Sequence, residues 1–398
     1  MSGQRIIIAG GFGLPDRNAS AIRAVGLAKL FAKIGYAPLL LGKFESVPNG
    51  SDFDHVKEFN GVELRDLRKP FSESIVSDYV SRSDGLRAVV NRIGAEQVDA
   101  VILYNYPIRG ILGAYWLCRR ARIPLILDLS EWYGWEGSKI IRNVIRVVSS
   151  ETRMRVLSRL VGNVMCTSSH MRDAVKAKNS LILPFVVDPT EERWSIRRGM
   201  LPHSDIPRRL VYSGSPGLGM HKDRLPYLFD ALSVLPDDIH FSLDIFGITE
   251  REFLEACPGT NLCRERVGST IRFYGRVSHD RSLDALSAAH YSVFFRKSNR
   301  VSNMGFPTKY MEATTLGSPV ITNGTSDIAT YCGNGINGII AASESREDIV
   351  AALIYALTMS AEDYEKMRVA QFANNPFSIE NWTEIINEFL AKAKSQKR

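Results

Sequence analysis

Apolar residues along this chain come in short continuous blocks, separated by stretches where they recur every three or four positions. The first block is "RIIIAG", Arg5 to Gly10. Glycines follow, then "RNASAIRAVGLAKLFAKIG", whose apolar spacing is that of a helix. "APLLLG", "VDAVILY" and "IPLILDL" are further blocks, with the helical stretch "GILGAYWLCRRA" before the last of them, and "NVMCTS", "MRDAVKAK" and "SLILP" continue the alternation. Continuous apolar blocks predict strands buried on both faces. Strands alternating with helices predict a parallel sheet covered on both sides.

The pattern breaks from Phe185 to about Arg208, where "DPTEERWSIRRGMLPHSDIPRR" is polar and rich in proline and charge, as a linker is. It then restarts with "RLVYSG" (strand), "DRLPYLFDALSVL" (helix), "HFSLDIFG" and "IRFYG" (strands), "DRSLDALSAAH" (helix), "YSVFFR" and "PVITN" (strands), and helices to the C-terminus. The expectation is an α/β chain of two doubly wound domains, residues 1–190 and 209–376, joined by a linker over 191–208. In such sheets ligands bind beyond the C-terminal ends of the strands, so two of them face to face would make a cleft.

Composition narrows the partners. A chain of 398 residues, 45% hydrophobic and 23% charged, is too long for one ordinary core and reads as globular. Its net charge of +7 suits an anionic partner, whether a nucleotide, a nucleic acid or an acidic membrane surface. Dispersed basic residues and the lack of a nucleic-acid motif argue against nucleic acid. The cysteines are five, scattered and without a CxxC pair, which supports neither a disulfide framework nor a zinc site and points to a reducing compartment. No signal-peptide segment and no apolar run of about 18 residues is present. The single DxD, Asp52-Phe53-Asp54, sits in a polar stretch with too few ligands for a metal, so no metal and no cofactor are expected.

Three stretches at predicted strand ends carry candidate chemistry. "GGFGLPDRNAS" places Gly11 and Gly13 between a strand and a helix, where backbone can approach a ligand, but it lacks the GxGxxG spacing of a dinucleotide site. "YSGSPGLGMHKDRL" repeats that arrangement in the second half, with Gly214, Ser215 and Gly217 in the loop and Lys222 at the helix start. A lysine opposes the helix dipole there unless it meets an anion such as a diphosphate; otherwise it is simply solvated. In "NMGFPTKYMEATTLGSPV", Pro307 suits a first helical turn and Gly317 a helix stop. Lys309 and Glu312, three apart, share a helical face. That carboxylate suits a ribose diol, and Thr308 and its neighbours suit phosphate. The same pair also reads as a surface ion pair.

Taken together and in order, these residues resemble the GT-B glycosyltransferases, specifically the family 4-like retaining enzymes. The segments are "GGFGLPDRNASAIRAVGLAKLFAKIGY", "DLSEWYGWEG", "LVYSGSPG…HKDRLPYLFDAL", "IRFYGRVSHDRSLDALSAAHYSVFFR" and "FPTKYMEATTLGSPVI". The resemblance covers nearly the whole chain. It implies two Rossmann-like domains facing across a cleft, with the terminal helix 377–398 completing the first, and transfer of a sugar from a nucleotide-diphosphate sugar to a hydroxyl. By the same resemblance Lys222 neutralises the diphosphate and Glu312 holds the ribose. Arg276 and Val277 recognise the base, and Arg296 lies near the phosphates or the sugar. Thr308 and Lys309 stand near the diphosphate, and the Gly11–Gly13 loop approaches the donor from the other domain. Two positions depart from the family pattern. Met304 stands where members often carry an acid eight residues before the glutamate, and Ser215 stands where many carry an arginine. Asn303 and Arg296 are the candidates to compensate.

The implied chemistry needs no metal and no dedicated base, since the departing phosphate takes the acceptor proton. Asp128 and Glu131, after a strand of the first half, are candidates for an acceptor or catalytic role, or else cap the next helix. "SKIIRNVIRVVSSETRMRVLSRLVG", 138–162, holds six basic residues and one acid. It reads as a basic amphipathic helix that either lies on an anionic membrane or packs on the sheet with its arginines solvated. The expected setting is surface-polysaccharide biosynthesis on a glycan or lipid-linked acceptor, in the cytoplasm or at the inner face of the cell membrane. The alternatives are a sugar-nucleotide epimerase of related fold, which would bring more histidines and carboxylates than His221 supplies, and a non-catalytic nucleotide-sugar-binding protein.

Overall fold

The computed structural model describes residues 4–14, 18–43, 57–66, 83–135, 140–195, 207–217, 220, 222–263, 265, 268–373 and 375–396. The chain divides into two compact units, one of residues 1–188 with 377–398, the other of residues 189–376.

In the first unit the strands are β1 (Arg5–Gly13), β2 (Ala37–Lys43), β3 (Lys57–Phe59), β4 (Val62–Asp66), β5 (Val98–Tyr104), β6 (Leu125–Leu129), β7 (Asn163–Cys166) and β8 (Asn179–Ile182). They form one sheet in the order β3-β4-β2-β1-β5-β6-β7-β8, parallel throughout except for the short edge strand β3. Ile6 and Ile8 of β1, Leu40, Ile102 and Ile126 face Ala24, Leu27 and Phe31 of the helix Ala19–Lys33. The C-terminal helix Thr383–Ser395 joins the same core through Ile386, Phe389 and Leu390. Asn18 caps the first helix by accepting the Ala21 N–H at 2.9 Å. Gly26 lets that helix lie against the chain after β8: a Cβ there would stand 2.0 Å from the Val186 carbonyl oxygen.

The second unit holds β9 (Arg208–Ser213), β10 (Phe241–Phe246), β11 (Thr270–Gly275), β12 (Tyr291–Val293), β13 (Val320–Asn323) and β14 (Gly338–Ala341), all parallel, in the order β11-β10-β9-β12-β13-β14. The strand order reverses between β9 and β12, and a doubly wound sheet opens its ligand crevice at such a point.

Several elements differ from the sequence reading. β1 continues through Gly13, with a register shift after Ala9, so Gly11 and Gly13 belong to an extended strand rather than a loop. Phe12 between them is core, packed edge-on to Tyr104. β14, the β3–β4 hairpin and the helices Asp84–Ile93 and Glu250–Ala256 are additional. Their apolar blocks are too short, or too mixed with charge, to announce themselves. Of the expected linker, Glu192–Ser195 is a helical turn with Trp194 buried, while 196–206 lie outside the described residues. Asp52-Phe53-Asp54 and His221 also lie outside them.

Candidate functional site

Three glycines end three neighbouring strands of the second unit. Gly214 follows β9, Gly247 follows β10 and Gly275 closes β11, with φ of 136°, 98° and 66°. Left-handed backbone of this kind favours glycine. The three also stack: Gly247 N–H donates to the Gly275 carbonyl at 2.7 Å, and Gly214 N–H to the Phe246 carbonyl at 3.2 Å. A Cβ on Gly247 would fall 2.2 Å from the Gly214 carbonyl oxygen, so only glycine fits. The result is a side-chain-free ledge along the C-terminal edge of the sheet.

Below the ledge lies a buried charge cluster. Lys309 Nζ donates to Asp223 Oδ2 at 2.6 Å and sits 4.0 Å from the centre of the Tyr212 ring. The Tyr212 hydroxyl donates to the same carboxylate oxygen at 2.9 Å. Arg296 Nε stands 3.2 Å from Asp223 Oδ1. Burial opposes ionisation of Asp223, but Lys309, Arg296 and the hydrogen bonds from Lys309 and Tyr212 outweigh it and hold the carboxyl below its ordinary range. Burial pulls the Lys309 pKa down, with Asp223 opposing. Lys309 therefore does not reach out to a diphosphate, as its place at the helix start suggested. Its ammonium supports the ledge from beneath, and a Cβ on Gly214 would lie 2.8 Å from it.

Glu312 is likewise not on a surface. Nearly every side chain of the helix Thr308–Leu316 from Tyr310 onward is buried, Glu312 among them. Its Oε1 lies 2.9 Å from His279 Nε2, while Lys309 turns to Asp223, so the two residues read as one helical pair each find a partner elsewhere in the sequence. His279 opens the helix His279–Ser287, separated from Arg276 and Val277 only by the N-cap Ser278, which places the Glu312 carboxylate beside the turn that follows β11. Arg276 is exposed there and Val277 half-buried. Pro307 takes the N-cap position rather than the first turn, and Gly317 ends the helix in the left-handed conformation. Thr308 is its first residue and half-buried.

The loop carrying Ser215, Gly217 and Lys222 is pinned by backbone. Lys222 N–H and Asp223 N–H both donate to the Pro216 carbonyl, at 3.0 and 3.3 Å, and Arg224 N–H donates to the Phe295 carbonyl at 2.7 Å. Lys222 thus lies two residues before the N-cap, Arg224, of the helix Leu225–Ser233, half-buried and next to Asp223. Arg296 lies three residues past β12. Its backbone is clamped by Asn323, which accepts from the Arg296 N–H at 2.9 Å and donates to its carbonyl at 2.6 Å. Among the described residues the Nη1 of its buried guanidinium, and the Thr325 and Ser326 hydroxyls beyond β13, have no hydrogen-bond partner, and the guanidinium Nε meets Asp223 as an ion pair without hydrogen-bond geometry. Buried polar groups are ordinarily hydrogen-bonded, so these atoms make this corner a candidate for ligand contact. Asn303, a candidate to compensate for the missing acid, is engaged within the protein: its Oδ1 accepts from Ser326 N–H and its Nδ2 donates to Ser298 Oγ, both at 3.1 Å. Met304 is the last residue of the short helix Arg300–Met304.

In the first unit, Asp128 has no catalytic freedom. It is fully buried, and Arg23 grips both its oxygens, with Nε at 2.8 Å from Oδ2 and Nη2 at 2.5 Å from Oδ1. Arg23 Nη1 adds bonds to the Leu183 and Pro184 carbonyls at 3.0 Å, so this is a strut between helix, sheet and loop. Glu131 is half-buried just past β6 and helps raise the pKa values of Tyr104 and Tyr133, after burial itself. Gly11 is exposed and Gly13 half-buried. Among the described residues no group of three or more His, Cys, Asp or Glu is arranged to hold a metal.

Asp223, His279, Tyr212 and Asn323 were not singled out by sequence. Asp223 and His279 sit within "HKDR" and "SHDRS", where an acid or a histidine beside a helix start looks like ordinary capping.

Residues 207–359 match the family described as Glycosyl transferases group 1. No curated protein sequence matches the chain. Among solved structures, sucrose-phosphate synthase from Thermosynechococcus elongatus superposes with a TM-score of 0.71 at 13% identity, over 99% of this chain and 100% of that one. Anabaena HepE in complex with UDP and glucose gives 0.60 at 14%, over 98% and 100%. Trehalose-6-phosphate synthase OtsA gives 0.64 at 12%, over 97% and 99%. The fold is therefore that of the GT-B glycosyltransferases, and the match to group 1 glycosyl transferases falls within the second unit.

Proposed function

We propose that the protein transfers a sugar, with retention of configuration, from a nucleotide-diphosphate sugar to a hydroxyl of a glycan or lipid-linked glycan. The observation that carries this reading is the convergence at one sheet edge of the Gly214–Gly247–Gly275 ledge, the Glu312–His279 pair and the Arg296 guanidinium. The ledge admits a planar base and its ribose against bare backbone. Glu312 has its second oxygen for the ribose hydroxyls, and Arg276 and Val277 border the base through their backbone.

Departure of the diphosphate is the demanding step, because negative charge grows on it. Lys222 and Arg296 supply positive charge, and the N-terminal amides at Thr308 and Leu225 add dipoles. The leaving phosphate then takes the acceptor proton, so neither a protein base nor a metal is needed in this scheme. Met304 in place of an acid leaves the donor sugar to Arg296 and the Thr325 and Ser326 hydroxyls. Glu131 is the carboxylate we assign to the acceptor side. We place the activity on the cytoplasmic side, in surface-polysaccharide synthesis.

The test is a thermal-shift panel of UDP-, GDP- and dTDP-sugars on the parent and on Glu312→Ala and Glu312→Gln. One nucleotide should stabilise the parent and lose its effect in the alanine variant. Equal stabilisation of all three proteins would overturn the ribose assignment, and absence of nucleotide release with any glycan acceptor would overturn the transferase.

A further inference from the structure

The segment Ile140–Val161 is built inside out. A surface helix ordinarily buries its apolar stripe and shows polar residues to water. Here Asn143, Ser149, Ser150, Arg153 and Ser158 are buried, while Ile140, Ile141, Val144, Val148, Val156 and Leu160 are exposed, Ile141 at 77% and Val148 at 58%. Of the two readings the sequence leaves open, packing of these aliphatics on the sheet does not hold: only Met154 and Leu157 of the segment's large apolar side chains are buried, and Arg155 and Arg159 share the exposed side with the aliphatics.

Apart from Ile140, the exposed residues form one line, and a local irregularity keeps them on it. Ile141, Val144 and Val148 are spaced for a single helical face. In an uninterrupted α-helix, Leu160 would sit about 120° away from Val148 at about 100° per residue. Residues Arg153–Leu157 instead make one wide π turn, which absorbs an extra residue and brings Leu160 back to within about 20° of the stripe. A wide turn that realigns exposed aliphatics with one another has no use in water.

Charge says what covers them. Residues 105–162 contain ten basic and four acidic residues, a net +6 against +7 for the whole chain. Of those acids Asp128 is buried on Arg23, and Glu151 accepts from Trp132 Nε1 at 2.9 Å and from Arg155 Nε at 2.6 Å. The helix Ile108–Ala121 packs beside the wide turn and adds exposed Arg109, Arg119, Arg120 and Trp116, the last 63% exposed, with Arg119 set over the Trp116 ring. Aliphatic stripe, interfacial tryptophan and nearly all the surplus positive charge on two adjacent helices match an anionic bilayer in both depth and sign.

We propose that the first unit docks on an anionic membrane through the Ile141–Leu160 stripe, with the arginines of the helix Ile108–Ala121 at the headgroups. The surface stands independently of the transferase reading.

The experiment is vesicle flotation at physiological salt, with phosphatidylcholine alone and with about one third phosphatidylglycerol added. The full-length parent should float with the anionic vesicles only. The double variant Ile141→Asp, Val148→Asp should partition at least about tenfold less, and Arg119→Glu, Arg120→Glu should bind more weakly with a shallower salt dependence. All these side chains are exposed, so unchanged melting temperatures certify the fold. Three results would overturn the proposal: a parent that ignores anionic vesicles, an aspartate variant that floats like the parent, or a parent dimer in sedimentation that the aspartates dissolve, which would mean that a second copy covers the stripe.

Discussion

Asp223 is the point at which the second unit should be most fragile. Its carboxylate is 4% exposed and serves two cations, Lys309 at 11% and Arg296 at 10%. The cluster carries one net positive charge; Asp223→Asn raises that to two, with the Lys309 ammonium left under Gly214 without a counterion. Removing one partner of a buried pair costs about 3–5 kcal/mol, against a total of about 5–15 for a typical domain. The double variant Asp223→Asn, Lys309→Met restores the net charge and replaces the pair by an amide and an apolar chain, so it should recover most of the loss. Urea unfolding reads this as a midpoint shift at constant slope. The pH dependence has a definite sign. The Asp223 carboxyl titrates below its unfolded value, so its stabilisation is complete above about pH 4 and is lost as pH falls through the folded value. Asp223→Asn should flatten that acid limb. A single variant costing less than about 1 kcal/mol, or a double variant costing the sum of the two singles, would refute the argument.

Two further outcomes follow from the geometry. Lys222→Ala should lower kcat by about 10²–10³ with a smaller effect on stability than Asp223→Asn, because the half-buried side chain acts on developing charge; a change confined to KM would contradict this. Arg23→Met should destabilise the first unit by about 3–5 kcal/mol by stranding the fully buried Asp128, whereas Asp128→Asn should leave kcat/KM of the folded protein within about threefold; a large catalytic loss with intact stability would return Asp128 to the chemistry.

The strands and the loops that end them were readable in sequence, because a short continuous block such as "VDAVILY" fits a strand covered on both faces, and the glycine after a block such as "RLVYS" marks a turn that few other residues tolerate. The site was half readable. Gly214, Glu312 and Arg296 were singled out as candidates, but Asp223, 86 residues from its partner Lys309, and His279, 33 from Glu312, are not announced by anything in local spacing. Spacing also misled. Lys309 and Glu312 looked like one pair on a helix surface, whereas burial sends each to a different neighbour.

Helical periodicity shows that a stripe exists without showing which way it faces. The sequence "IIRNVIRVVSS" therefore determined an amphipathic helix, and the chain's alternation determined two doubly wound sheets, since both depend on contacts a few residues long. Whether the aliphatics of Ile140–Leu160 look in or out, whether Asp128 meets a substrate or Arg23, and whether Lys309 faces an anion or supports a glycine depended on folding. Each is settled by which distant side chain fills the low-dielectric space beside it, and that neighbour exists only once the sheets have assembled.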